Sequence, residues 1–198
     1  MEVRDRLVRR GALGIPLLVL VGFGLYVLSG GEVRADWRPL PWWSYTLNFA
    51  WMLFVGGGQE EPGWRGFALP RMQSRYTALG AALVIGALWA GWHLPVFFAP
   101  AWGQAPPFVW FFATLVAVSV ITTWLFVHTR GSVIPVIVMH ASLNSMTNPP
   151  PVPVGLADFG GAFTATLAAV SWLTAMVLVL LFGPTLQVRA RRPVRVGA

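Results

Sequence analysis

The feature that most limits this chain is its division into long apolar runs. Hydrophobic side chains dominate residues 11–28, 46–69, 77–98, 108–127, 132–146 and 161–182. A helix needs roughly 20 apolar residues to cross the hydrocarbon core of a bilayer. Inside that core every backbone N–H and C=O must be bonded within the protein, which a helix achieves alone. The pattern predicts an all-α fold: a polytopic transmembrane helical bundle of about six helices. Residues 1–198 then form a single integral membrane domain. The first run is long for the apolar part of a signal peptide, and Val33–Arg34–Ala35 is a poor cleavage site. It reads as an uncleaved first helix.

Charge sets the orientation. The chain is 56% hydrophobic and 11% charged, with a net charge of +7. A basic balance can mean nucleic acid, but here the arginines sit at the ends of the apolar runs. Arg4, Arg6, Arg9 and Arg10 precede the first run; Arg71 and Arg75, Arg130, and the tail arginines 189, 191, 192 and 195 follow later ones. Six crossings place all of these on one face and only Arg34 and Arg38, with Glu32 and Asp36, on the other. By the positive-inside rule both termini are cytoplasmic, and the basic tail 185–198 is a cytoplasmic anchor. The membrane expected is a bacterial plasma membrane. No zinc-finger, helix-turn-helix or phosphate-loop spacing is present, so no nucleic-acid partner is expected. The chain has no Cys, hence no disulfide, thiolate nucleophile or thiolate metal site. Trp37, Trp42, Trp43 and Tyr45 resemble an interfacial aromatic belt. Asp158 and the proline-rich stretches at 99–107 and 149–151 read as loops.

Three polar clusters interrupt the apolar runs: Glu60, Glu61 and Arg65; His93; and His140 with Asn144. An ionised side chain at bilayer depth costs about 2.5–3.5 kcal/mol on insertion scales, so such groups are usually paired and functional. Glu61 and Arg65 are one helical turn apart and can pair. Adjacent Glu60 points about 100° away and is left to face a cavity. Pro62 cannot donate to Gly58, and it suits the first turn of a new helix. A break at Gly56–Gly57–Gly58 is therefore expected, with Glu61 near a helix N-terminus. Ala82, Gly86 and Ala90 form a small-residue row that admits a neighbouring helix, and His93 continues that face. At about 1.5 Å per residue, Glu60, His93 and His140 lie roughly 20, 28 and 14 Å above their cytoplasmic helix ends. Tilts and kinks must close those differences. His128, beside Arg130, reads as interfacial.

Together these residues resemble the three motifs of the CPBP intramembrane proteases, which include type II CAAX prenyl endopeptidases, bacteriocin-processing enzymes and Abi-type proteins. The resemblance is carried by Glu60–Glu61–x–x–x–Arg65, Trp89–x–x–x–His93 and His140–x–x–x–Asn144, in that order, over about residues 56–147; the protease core is set at 46–147. Trp89 stands where the family usually has Phe. The resemblance implies a peptidase acting on a membrane-associated, and in some members prenylated, protein or peptide. Glu60, aided by His93, would activate a water. His140 and Asn144 would stabilise the oxyanion, and Glu61 and Arg65 would hold the site together. A carboxylate withdrawn from water is a stronger base, and an amide aimed at an oxyanion is worth about 2.7–4 kcal/mol. No cofactor is favoured. Zinc is the alternative, with Glu60, His93 and His140 as three ligands. Trp92, Phe97 and Phe98 are candidates for a lipid-like or prenyl groove, although aromatic packing alone would also account for them.

Two other functions fit the residues less fully. A non-proteolytic scaffold or bacteriocin-immunity-type protein would keep the motif for structure. A proton-coupled transporter would use the buried Glu and His as a relay, but no inverted repeat is apparent.

Overall fold

The computed structural model describes residue 14 and residues 17–33, 35, 38, 40–98, 107–147 and 161–187. The arginines at 4–10, Arg34, Asp36, Trp37, the stretches 99–106 and 149–151, Asp158 and the tail arginines lie outside these residues.

All the described elements are helical, and six have ten residues or more. They are α1 (Leu17–Leu28), α2 (Trp42–Phe54), α4 (Ala78–His93), α5 (Phe108–His128), α6 (Ile134–Thr147) and α7 (Ala162–Phe182), with a short α3 (Leu69–Met72) between α2 and α4. Ala78–Phe98, Phe108–His128 and Ala162–Phe182 are each 21 residues long with mean hydropathies of 1.6, 2.0 and 2.2. Each is long and apolar enough to cross a membrane. Outward-facing Leu88, Leu180, Leu181 and Phe54 are exposed, as suits a lipid-facing surface and not a water-facing one. The protein is an integral membrane helical bundle.

α2 and α6 are shorter, at 13 and 14 residues. The apolar run containing α2 continues beyond it by a different route. The helix stops at Phe54, and a tight turn over Gly58–Glu60 leads into a wide π-helical segment, Pro62–Ala68, and then α3. The expected break at the glycines is present, with Pro62 opening the next segment and Glu61 as its N-cap. Gly57, at φ +142°, turns the chain out of α2, and Pro62 stands at the first position of the next segment, where a missing N–H is tolerated.

α5 lies at the centre, packed against α4 on one side and α7 on the other. Leu115, Val116, Ala117, Val118, Ser119, Val120, Ile121 and Leu125 are buried along it. The small-residue row of α4 meets α5: Ser119 Oγ donates to the Ala82 carbonyl at 2.8 Å. A Cβ on Gly86 would lie 2.7 Å from Val116 Cα and 2.9 Å from Ser119 Cβ. Backbone would have to move to admit it. Gly86→Ala is expected to lower stability by about 1–3 kcal/mol, read as an earlier unfolding midpoint in detergent. Gly91→Ala is the control, because nothing lies within 4 Å of its added Cβ; equal midpoints for the two variants would contradict the close approach.

Candidate active site

The site is assembled where the turn after α2, the end of α4 and the middle of α6 meet. Trp89 lies at its centre and is 2% exposed. Its Nε1 donates to Glu60 Oε2 at 2.7 Å. The Arg65 guanidinium lies over its ring, 4.9 Å from the centroid. The rings of His140 and His93 approach edge-on, with centroids 4.9 and 6.3 Å away. The unequal depths expected along the straight sequence have thus been closed, because the break at 55–57 lifts the acidic pair alongside α4.

Behind this layer is a buried ion cluster. Glu61 and Arg65 are both 0% exposed. Arg65 Nη1 donates to both oxygens of Glu61, at 2.9 and 3.0 Å. His140 Nδ1 lies 2.8 Å from Glu61 Oε1 and donates to it. Arg65 Nε and Nη2 have no hydrogen-bond partner among the described residues. The face of Trp89 supplies a partial substitute, since an aromatic ring presents negative potential to a cation.

Asn144 fixes the protonation pattern. Its Nδ2 donates to the Gly56 carbonyl at 2.6 Å and lies 3.3 Å from His140 Nε2. A carbonyl accepts only from N–H, so the amide orientation is set. His140 Nε2 must then accept, and the proton sits on Nδ1, facing Glu61. By the same logic His93 Nδ1, 2.9 Å from the Trp89 carbonyl, carries the proton and leaves Nε2 as a lone pair. Hydrogen bonds and ring contacts therefore run without interruption from Gly56 through Asn144, His140, Glu61, Arg65 and Trp89 to Glu60. His93 joins through Trp89 and packs on Phe111, with ring centroids 5.4 Å apart; no described hydrogen bond links it to Glu60.

Accessibility divides the set. Glu60, His93 and Asn144 are half-buried, whereas Glu61, Arg65 and His140 are buried. The first three can meet a substrate, and the second three buttress them. His128 stands apart at the far end of α5, with Nδ1 3.0 Å from the Trp124 carbonyl and its ring against Phe182. Phe97 packs on Phe108 and Phe111, continuing the aromatic wall beside His93, while Trp92 and Phe98 are exposed.

Two positions escaped the reading of the sequence. The sequence marks Trp89 only as an aromatic and gives no partner for its N–H. Gly57 has φ +142°, and a Cβ there would collide with Asn144 Nδ2 and lie 2.6 Å from His140 Nε2. Only glycine lets the loop press against these two side chains. Gly57→Ala should leave the bundle folded and displace Asn144, lowering turnover roughly a hundredfold, the scale of a misplacement of about 1 Å. Unchanged kinetics in that variant would mean that the loop does not set the amide.

The sequence profile of the Rce1-like type II CAAX prenyl endopeptidases matches residues 41–146, which contain every residue of the site. The chain belongs to the Rce1-like family. A curated relative, CAAX prenyl protease 2 of Methanococcus maripaludis, is 29% identical over 140 residues. That match covers 66% of this chain and 51% of the relative, so the chain spans about half the length of that relative. The matched region runs from the start of α2 to the end of α6 and leaves α7 outside it.

Proposed function

We propose that this Rce1-like protein is an intramembrane endopeptidase that hydrolyses a peptide bond in a membrane-associated protein or peptide. The observation that carries the reading is that a half-exposed carboxylate, Glu60, and a half-exposed imidazole, His93, both contact Trp89. Water attack on an amide needs a general base, and a second polar group that orients the water assists it.

Glu60 takes a proton from water as the water oxygen bonds to the scissile carbonyl carbon. The carbonyl π pair moves onto oxygen. Asn144 supplies an amide hydrogen to that oxyanion by releasing the longer of its two contacts, the one to His140 Nε2. Collapse of the intermediate breaks the C–N bond, and the leaving amine takes the proton that Glu60 had accepted. The lone pair of His93 Nε2 orients the water. His140 acts through Asn144, because its own ring is buried and its Nδ1 proton is held by Glu61.

Zinc on Glu60, His93 and His140 is the alternative to this scheme. Among the described residues no group of three or more His, Cys, Asp or Glu is placed to hold a metal. The reaction is accordingly written without a metal. The printed name of the Methanococcus relative supports a prenylated CAAX substrate, and the aromatic wall of Phe97, Phe108 and Phe111 beside His93 suits an isoprenoid chain. The arginine pattern supports cytoplasmic termini, and the membrane is taken to be a bacterial plasma membrane.

The test is cleavage of a farnesylated CAAX peptide, and of the same peptide without its lipid, by protein reconstituted in liposomes. Mass spectrometry should find release of the C-terminal tripeptide from the lipidated form. Cleavage of neither peptide would refute the CAAX assignment, and equal cleavage of both would remove the prenyl requirement.

A further inference from the structure

We propose that Trp89 is a positioning residue for the reaction: its indole N–H anchors one oxygen of Glu60 and so leaves the other as the oxygen that takes the proton. This inference rests on the endopeptidase reading. Trp89 Nε1 donates to Oε2 at 2.7 Å, within the range of a charge-assisted bond. Oε1 has no hydrogen-bond partner among the described residues. The indole cannot turn away to another acceptor, because its ring is 2% exposed and enclosed by Arg65, His93 and His140. A buried indole N–H without an acceptor is costly, so donor and carboxylate hold each other in place.

The arrangement also links the ion cluster to the carboxylate. Arg65 sits over the same ring whose edge donates to Glu60. Glu61, Arg65 and His140 therefore need not touch Glu60 to determine where it stands. They hold the indole, and the indole holds the acid. A phenyl ring would preserve the enclosure and the contacts with both histidines, yet it has nothing to donate.

Trp89→Phe separates these contributions. In the liposome cleavage assay kcat should fall about tenfold or more, the scale of one hydrogen bond to a charged group. KM should stay within about twofold, because the anchored oxygen affects the reacting geometry and not substrate capture. A purely structural role would lower the unfolding midpoint and the folded fraction, and would leave kcat unchanged once it is expressed per folded enzyme. The second measurement does not depend on turnover. With the tryptophan indoles labelled with nitrogen-15, the resonance lost in Trp89→Phe identifies Trp89, and Glu60→Gln should move it upfield as a charged acceptor becomes neutral. An indole resonance indifferent to Glu60→Gln, or wild-type kcat in a folded Trp89→Phe, would overturn the assignment. Loss of cleavage in wild type with the resonance still coupled to Glu60 would refute the peptidase reading and leave the anchor standing.

Discussion

Glu60→Gln should abolish peptide cleavage while leaving the fold unchanged. The amide removes the base but keeps an oxygen that can accept from Trp89 Nε1 at the position now 2.7 Å away. The buried indole donor therefore stays satisfied, and the bundle has no reason to rearrange. General-base catalysis contributes about 10²–10⁴-fold, and kcat should fall by that factor with little change in KM. Glu60→Ala is a poorer experiment, because it also leaves Trp89 Nε1 without an acceptor and adds about 1–3 kcal/mol of destabilisation. Turnover and the unfolding midpoint should be measured on the same liposome preparation. More than about a tenth of wild-type turnover in a folded Glu60→Gln would be too much for the loss of a general base. Glu60 would then be a structural carboxylate, and the half-exposed His93 would have to serve as the base.

The sequence made some of this legible and hid the rest for identifiable reasons. Local spacing was sufficient wherever the interaction lies within one element. Glu61 and Arg65, four apart, do pair. His140 and Asn144, again four apart, do face one another. The row Ala82, Gly86 and Ala90 does admit α5. The divergence of Glu60 from Glu61 also followed from helical geometry, since one meets Trp89 and the other Arg65 and His140. Periodicity carries no information about contacts between elements brought together by the break after α2. Glu60 and Trp89 are 29 positions apart, and Glu61 and His140 are 79 apart. Nothing local marks Trp89 as a donor or Gly57 as a contact surface. Helix length was also only partly readable. The run 46–69 is largely apolar on both sides of Gln59–Glu60–Glu61, yet Pro62 and the three glycines divide it into a helix, a tight turn and a wide segment.

The largest stability effect should come from dividing the buried ion cluster. Glu61 and Arg65 have no exposed surface, and no described charge other than this pair lies within the cluster. Removing one partner leaves the other charge buried without its counter-ion, which costs about 3–5 kcal/mol. Total stability of a domain is about 5–15 kcal/mol, so either loss would consume a large share of it. The two single variants should differ. Arg65→Met leaves Glu61 the donor at His140 Nδ1, 2.8 Å away. Glu61→Gln leaves Arg65, already short of partners at Nε and Nη2, with a neutral acceptor only. Glu61→Gln should therefore be the more damaging of the two. Replacing both together should cost less than the sum, by about 0.5–3 kcal/mol, because no orphaned charge remains. Unfolding midpoints of the two single variants and the double variant in one detergent measure all three quantities. Additive losses would mean that the charges do not depend on each other in the folded state. A double variant that recovers stability but stays inactive would separate the two roles of the cluster: holding the bundle together, and keeping the His140 proton on the side that leaves Nε2 facing Asn144.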